Sequence, residues 1–393
     1  MVFAALGCGI LQVTSAYGQL ANTGEKIFIG RGAVMVVQGD VRNAGTFVHQ
    51  GDLKFSGDWI IQAADGGFGP ASGGTVVMNG AGQTIGGSAA AAFPRLEVRG
   101  SGTKFLDVDT ETGTLLLLRE LHVNTRALRV TSPDVNAITR TTGFVNTDKG
   151  GKLIRNTNSG NLYYYPLGNG ERYRPVVIIP SVNEEMSFSV TMFNEDPTGK
   201  GFDRSMKRED VRSVFARYFY VVNQERGTGN AGIRFFLNSA PGGLESEGDI
   251  RQLVSWDRYR LWEKAGPSTI TVGDFTQGMD RSLLFSSTEP IRNTAFTFGE
   301  SDEDPLTFFN AFSPDGDGRN DTWTIRNIDL FPENEVTIFN RWGDAVFHTK
   351  GYSAARAWDG GNTNPGTYYY VLNVNINGKM KSYKGFITML KKD

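Results

Sequence analysis

Residues 75–87 read TVVMNGAGQTIGG, a short apolar run followed by glycines and an asparagine that favour a tight turn. Runs of the same kind recur from about residue 25 to residue 155: KIFIGRG, AVMVVQGD, TFVHQGD, LKFSGDW, RLEVRGSG, TLLLLRELHV and ALRV. Each run has the length of a strand, and turn signals this frequent leave no room for a helix. The pattern favours a β-solenoid-like repeat region over residues 19–160, in which each rung covers the apolar face of its neighbour. Ordinary sandwich strands give a similar pattern and stay open as the alternative.

The middle of the chain has a different sequence pattern. Residues 161–181, NLYYYPLGNGERYRPVVIIPS, bring aromatic residues and three prolines, and the later runs EMSFSVTMF, FARYFYVVN and NTAFTFGES are longer and alternate. They predict an antiparallel β-sandwich over residues 161–300. The acidic, proline-containing stretch ESDEDPLT at 300–307 predicts a linker. A last domain, also an Ig-like β-sandwich, is predicted over residues 301–393, so the whole chain is expected to be all-β.

Composition excludes some partners and predicts export. The net charge is -2, which is too small to attract nucleic acid or an anionic membrane. Residues 1–18 carry no charge and end in small residues at the spacing that signal peptidase recognises, which predicts a signal peptide cleaved between Gly18 and Gln19. A buried strand and lipid attachment at Cys8 are the alternatives. Removal of the signal would leave a chain without cysteine, whose stability comes from burial of its cores.

A glycine-rich loop with three aspartates stands near the C-terminus. Asp315, Asp317 and Asp321 occupy relative positions 1, 3 and 7 of this loop, a spacing that suits a hard cation such as calcium. An EF-hand would need an oxygen ligand at position 5 and a glutamate at position 12, where this chain has Arg319 and Arg326. The preferred interpretation is therefore a set of Asx-turns at Asp315, Asp317 and Asn320. Gly316 and Gly318 then have positive φ and Arg319 pairs locally, and calcium is kept as the second interpretation.

Two tryptophans, Trp342 and Trp358, stand where predicted strands meet turns, and we expect both to pack in the core or against a turn. Gly343 is expected to turn a hairpin, and Asp359 with Gly360 a second turn. Five lysines line the C-terminal strand and suit a protected edge or an acidic partner: Lys379, Lys381, Lys384, Lys391 and Lys392.

The sequence offers little support for an enzyme, and we expect no catalytic activity. His49, His122 and His348 are scattered, and the nucleophile, zinc and P-loop motifs are missing. A solenoid groove with acidic residues remains the one catalytic alternative, with these local carboxylates as its candidate: Asp107, Asp109 and Glu111. Tyrosines at 163–165 and 368–370 would suit stacking on a glycan, although alternation sends about half of them to the core.

The C-terminal motifs FSPDGDGRNDTW, IFNRWGDAVF, WDG, PGTYYYVL and YKGFITML resemble, in this order, the gliding-motility-associated C-terminal domain, which is the type B sorting domain of the Bacteroidota type IX secretion system. The resemblance places a sorting motif at these residues: Ser313, Pro314, Asp315, Gly316, Asp317, Gly318, Asn320, Asp321, Asn340, Arg341, Trp342, Gly343, Trp358, Asp359, Gly360, Gly366, Tyr368, Tyr370, Lys384 and Gly385. It implies transport to the periplasm and then across the outer membrane. MNGAGQTIGG is more loosely similar to the repeats that precede such domains.

Together these patterns predict an exported structural or adhesin-like protein of the cell surface or extracellular space. The resemblance implies the type IX translocon as a partner and an outer-membrane β-barrel as a surface anchor. An extracellular glycan or surface ligand is a further expected partner class, nucleic acid is not, and no cofactor is expected apart from the calcium alternative. A glycan-binding surface protein and a polysaccharide-degrading enzyme are the alternatives.

Overall fold

The computed structural model describes residues 18–63, 67–69, 71–170, 172–237, 252–266, 268–272, 279, 281–301, 306–376 and 379–390. The protein is all-β, with 52% strand and 3% helix, which confirms the predicted fold class. The signal peptide prediction falls on residues outside the described ranges, apart from Gly18 and Gln19, which are exposed. Among the described residues, none of the helices has the length and apolar character needed to span a bilayer.

The chain divides into two compact units. The first consists of Met1–Lys200, Arg217–Arg234 and Ser286–Phe296, and the second consists of Gly201–Ala216, Phe235–Phe285 and Thr297–Asp393. The boundaries of these units cut through the predicted middle domain. The three-domain division of residues 19–160, 161–300 and 301–393 therefore stays a prediction.

The first unit begins with a parallel β-solenoid of about 6 turns, so the preference for a solenoid over a sandwich is confirmed. Its strands are β1 (Leu20–Asn22), β2 (Lys26–Ile29), β3 (Val34–Val37), β4 (Val41–Asn43), β5 (Thr46–His49), β6 (Asp52–Phe55), β7 (Trp59–Ile61), β8 (Thr75–Met78), β9 (Gln83–Gly87), β10 (Ala91–Val98), β11 (Lys104–Leu106), β12 (Thr110–Leu117), β13 (Leu121–His122), β14 (Ala127–Val130), β15 (Ile138–Arg140), β16 (Val145–Asn146) and β17 (Lys152–Thr157). One sheet runs β1, β4, β7, β9, β11, β13, β16, and a second runs β3, β6, β8, β10, β12, β14, β17.

Side chains at equivalent positions of successive rungs stack on one another inside the solenoid. Leu96 of β10 pairs with Val76 of β8 and with Leu115 of β12, and all three side chains are buried. Alternation along each strand thus sends one set of side chains inward, where the neighbouring rungs cover it. Trp59 is the largest inward residue, and it packs against the rings of Phe47 and Phe93 at centroid distances of 5.6 Å.

Buried polar side chains inside the solenoid donate hydrogen bonds to backbone carbonyls at the turns. Gln83, from the TVVMNGAGQTIGG stretch, is buried and donates from Nε2 to the carbonyls of Phe55 (3.0 Å) and Gly57 (2.7 Å). Lys104 is also buried, and its ammonium donates to the carbonyl of Gly80 (2.6 Å) and to the Gln83 side chain (3.0 Å). Burial lowers the pKa of Lys104 to about 8. The carbonyls of Phe55 and Gly80 also accept from the amides of Asn79 and Ser101, so the two side chains add hydrogen bonds between rungs and are themselves satisfied although they are buried.

The middle segment extends one solenoid sheet directly. Its strands are β18 (Tyr163–Tyr165), β19 (Gly168–Asn169), β20 (Arg172–Tyr173), β21 (Val176–Pro180), β22 (Met186–Phe193), β23 (Val211–Val214), β24 (Phe219–Arg226), β25 (Ala231–Leu237), β26 (Gln252–Trp256), β27 (Trp262–Lys264), β28 (Ser268–Val272), β29 (Arg281–Ser286) and β30 (Thr294–Ser301). In the first unit, β22 pairs antiparallel with β17, and β24 pairs with β22. Because antiparallel strands follow the last parallel rung, this end of the solenoid sheet is not left as an open edge.

Acid is expected to destabilise the solenoid through His49. This side chain is fully buried, and within the described part of the chain neither ring nitrogen has a hydrogen-bond partner. Burial lowers the pKa of His49, so the unfolded chain binds the proton more readily than the folded one. Stability contributed by the neutral ring is then present above about pH 6.5 and is lost as the pH falls below that value. Urea unfolding at pH 7.5 and at pH 5 should show this loss, and His49→Phe should reduce it. An equal pH dependence in both proteins would contradict the assignment.

Candidate functional site

Residues 306–390 of the second unit form a five-stranded sheet with a short ribbon over one face. The strands are β31 (Thr307–Phe308), β32 (Ala311–Phe312), β33 (Ile325–Arg326), β34 (Asn334–Phe339), β35 (Ala345–Lys350), β36 (Gly366–Ile376) and β37 (Lys379–Met389). The sheet order is β32, β37, β36, β34, β35, and β31 pairs with β33 in the ribbon. Turns of 3-10 helix cover Ile328–Leu330 and Ala354–Arg356.

A cluster of aromatic rings holds this domain together. Trp323 and Trp358 are buried, and their backbones form an isolated bridge in which the Trp323 amide donates to the Trp358 carbonyl at 2.7 Å. The buried Tyr352 hydroxyl donates to the Trp323 carbonyl and accepts from the Trp358 amide. Tyr370 lies 4.7 Å from the Trp323 ring. The C-terminal motifs therefore meet in one core. The part of Tyr352 in it was missed, because this residue lies outside the motifs that could be recognised in the sequence.

The aspartate loop is organised around Asp321. One oxygen of its carboxylate accepts from the amides of Asp315 (3.0 Å) and Gly316 (2.6 Å), and the other accepts from the Gly318 amide (2.8 Å). The carboxylate thus receives three backbone donors from a loop that makes no regular ladder. The carbonyl of Asn320 accepts from the Ser313 amide at 2.8 Å and closes the loop.

Two of the three predicted Asx-turns, those of Asp315 and Asp317, are present, and the one at Asn320 stays a prediction. Asp315 accepts from the amide of Asp317 at 3.1 Å, and Asp317 accepts from the amide of Arg319 at 2.7 Å. Both loop glycines have positive φ, at 78° and 82°, as this interpretation requires. The same geometry brings one carboxylate oxygen from each of Asp315, Asp317 and Asp321 within 4.8 Å of one another, so the trio also has the spacing of a cation site.

Asp321→Ala is expected to lower the free energy of unfolding by about 2 kcal/mol, because three amides lose a charged acceptor. Asp317→Ala is the matched control. Its side chain is exposed and, within the described part of the chain, accepts one hydrogen bond, from the Arg319 amide. Its free energy of unfolding should therefore fall by less than about 1 kcal/mol. Calorimetry of the full chain measures both changes.

The same method tests the calcium interpretation. If the loop is held by its hydrogen bonds alone, the unfolding midpoint of the parent chain should be equal in EDTA and in calcium. A higher midpoint in calcium would assign the three aspartates to a cation site.

The NRWGD segment forms the hairpin turn between β34 and β35. The Asn340 side chain accepts from the amides of Trp342 (2.9 Å) and Asp344 (3.0 Å), and Gly343 has a φ of 90°. The prediction of a hairpin at Gly343 is confirmed. The prediction that Trp342 packs in the core or against the turn is wrong, because 79% of its surface is exposed. The Arg341 guanidinium lies over the ring, 5.4 Å from its centroid.

The WDG and YKG segments show why two glycines belong to the motif. Trp358 is buried as predicted, and the Asp359 side chain accepts from the Gly361 amide at 2.9 Å. A Cβ at Gly360, whose φ is 87°, would lie 2.5 Å from the Met389 sulfur. A Cβ at Gly385 would lie 2.6 Å from the Tyr370 hydroxyl. A side chain at either position would have to displace Met389 or Tyr370, and the positive φ of Gly360 adds backbone strain, so both positions favour glycine.

The remaining motif residues lie at the surface or along β36. Gly366 begins this strand, Tyr368 and Tyr370 point inward, and Tyr369 between them is exposed, as alternation predicts. Lys381 and Lys384 are exposed on β37, whereas the prediction for Lys391, Lys392 and the Lys379 side chain lies outside the described part of the chain.

The catalytic candidates Asp107, Asp109 and Glu111 are all exposed and engage separate partners. Asp107 accepts from the Asn124 side chain (2.7 Å), Asp109 from the Ala127 amide (2.9 Å), and Glu111 lies 3.4 Å from Arg129. The three histidines also have different surroundings: His49 is buried in the solenoid, His122 lies 3.1 Å from Glu120 and His348 lies 3.3 Å from Glu335.

Residues 306–389 match the family model of the CHU_C type IX secretion signal domain. This match covers the five-stranded sheet, the aspartate loop, the NRWGD hairpin and the WDG turn. No curated protein and no solved structure shows a significant match to the chain. The C-terminal domain is thus a type IX secretion signal domain, and this signal implies export toward the cell surface or the extracellular space through contact with the type IX machinery.

Proposed function

We propose that the chain is a structural or adhesin-like protein of the cell surface, delivered there by its C-terminal signal domain. The match of residues 306–389 to the secretion signal family carries the export part of this proposal. Everything before the signal domain is then its passenger, and the passenger determines what the protein does outside the cell.

The passenger has the features of a rigid surface element. Its stacked parallel rungs form an extended scaffold whose outward side chains are displayed at regular intervals, as in other solenoids that bind along one face. The carboxylates that could have formed a catalytic groove are instead held apart by individual partners, which supports a binding or structural role over hydrolysis. We also propose an outer-membrane β-barrel as the component that retains the protein at the surface.

Truncation tests whether the signal domain is needed for export. The full chain and a chain ending at Ser301 would be produced in cells with an active type IX system, and surface exposure would be measured by protease accessibility of intact cells. The full chain is expected at the surface and the truncated chain in the periplasm. Appearance of both chains at the surface in equal amounts would contradict the proposed route.

A second comparison tests the role of the passenger. Cells that display the full chain should adhere to a surface or to other cells more strongly than cells that display the signal domain fused to a neutral reporter. The triple variant D107N/E111Q/D109N should adhere as the parent does, because these carboxylates are not required for a structural role. Loss of a measured polysaccharide-degrading activity in the triple variant would favour the enzyme alternative, and loss of adhesion in the presence of soluble glycan would favour glycan binding.

A further inference from the structure

A row of aromatic side chains crosses the signal domain on the face turned away from its core. Phe339 of β34 pairs with Tyr369 of β36, and Tyr369 pairs with Phe386 of β37. Phe386 is 50% exposed, Tyr369 is 51% exposed and Phe339 is half-buried. We call these three residues the aromatic row.

Alternation does not explain the aromatic row. It sends Tyr368 and Tyr370 inward and leaves the opposite face to solvent, where polar residues are normal. The row two pairs away on the same face follows this rule, because Glu335, Asn373 and Ser382 are all polar. Adjacent exposed aromatic residues on a solvent-facing sheet surface are typical of a surface that binds another protein, since aromatic side chains dominate interface energies.

The charge beside the aromatic row indicates the character of the partner. Lys384 lies on the same face one pair further along β37, opposite Val371, and it is exposed. Lys381 pairs with the buried Val374 and so lies on the opposite face, which leaves Lys384 as the lysine beside the row. A lysine at the border of the row favours a partner surface that carries carboxylates, and it disfavours another basic surface.

We propose that the aromatic row and Lys384 form the surface by which the type IX export machinery recognises this signal domain. The binding partner is a protein of that machinery whose surface has an apolar pocket for the aromatic rings and carboxylates at the edge of this pocket. This inference rests on the proposed function, because it assigns the recognition step of export to particular side chains. The aspartate loop and the buried motif residues then fold and position the sheet that carries the row.

The test uses the full chain in cells with an active type IX system. The variant Y369S/F386S removes two exposed rings, and the surface-exposed fraction is expected to fall about tenfold while folded protein accumulates in the periplasm. Met380→Ser is the matched control: Met380 is 67% exposed and lies on the same strand and face, away from the row, so normal export is expected. The conservative variant Y369F/F386Y should also be exported normally.

Folding and recognition are separated by two further measurements. Calorimetry of the purified chain should show a signal-domain transition in Y369S/F386S close to that of the parent, since cross-strand pairs of this kind contribute only about 0.2–1 kcal/mol. If the double variant does not fold, Lys384→Glu replaces it, because an exposed lysine contributes little to stability, and its export should fall several-fold.

The outcomes distinguish this inference from the proposed function. Normal export of folded Y369S/F386S and of Lys384→Glu, with the chain ending at Ser301 still retained, would overturn the aromatic row as the recognition surface and leave the signal domain intact as the address. Normal export of the truncated chain would overturn both. Normal export with reduced binding of a polysaccharide would assign the row to a glycan instead and would also overturn the inference.

Discussion

Replacing Trp358 with alanine is expected to lower the free energy of unfolding of the signal domain by about 3–5 kcal/mol, the usual cost of removing a buried tryptophan. The Trp358 ring is 2% exposed and lies 5.0 Å from the Tyr368 ring and 5.2 Å from the Phe312 ring. It fills the space between the inner face of the sheet and the start of the aspartate loop. Because a domain of this size shifts its melting temperature by about 4–8 °C per kcal/mol, the calorimetric transition should move by more than about 10 °C.

Trp342→Ala provides the contrast. This ring is 79% exposed at the tip of the hairpin, so its removal should change the free energy of unfolding by less than about 0.5 kcal/mol. A large loss in Trp342→Ala, or a small one in Trp358→Ala, would contradict the core described for the signal domain.

Gly87→Ala is expected to cost about 3–5 kcal/mol in the solenoid, from backbone strain and overpacking together. Gly87 has a φ of 132°, a conformation that side chains resist. A Cβ there would lie 2.0 Å from the carbonyl oxygen of Ile61 and 2.6 Å from its nitrogen, on the neighbouring rung. Backbone atoms of a stacked rung cannot move aside without breaking the ladder between β7 and β9.

Gly24→Ala separates these two causes. Gly24 has nearly the same φ, 130°, but a Cβ there would meet nothing within 4 Å. The strain of about 1–3 kcal/mol should therefore remain and the clash should not. Urea unfolding of the full chain measures the difference, and soluble yield replaces it if Gly87→Ala does not fold. Equal losses in the two variants would show that the rungs do not approach each other as described.

The solenoid could be predicted because its signals are local. Each apolar run together with the turn that follows it spans about a dozen residues, and the repetition of this unit implies that the strands stack as rungs. What lies inside the turns could not be predicted. Gln83 and Lys104 are residue types that usually lie at the surface. Both are buried here because carbonyls of other rungs accept hydrogen bonds from their side chains. Sequence spacing does not show which carbonyls of other rungs lie within reach of these side chains.

In the signal domain, alternation correctly separated Tyr368 and Tyr370 from Tyr369. Trp342 was assigned wrongly because large aromatic residues are usually buried, whereas its exposure follows from the position of a hairpin tip beyond the edge of the core. The aromatic row was also not foreseen. Its three members come from three strands, and only the register of the sheet places Phe339, Tyr369 and Phe386 side by side.

The aspartate loop shows what spacing alone can establish. Asp315, Asp317 and Asp321 could be recognised as one cluster, and the Asx-turns follow from local residue types. The central place of Asp321, which accepts from three amides, depends on how the loop folds back over three to six residues.

The most direct measurement of the central claim is the location of a neutral reporter fused to residues 302–393 behind a periplasmic signal. It would be produced in a host with an active type IX system and in a mutant without one, with the Y369S/F386S fusion beside it. The reporter is expected at the surface only in the active host. A reporter that stays in the periplasm of both hosts would contradict the claim that this domain directs type IX export.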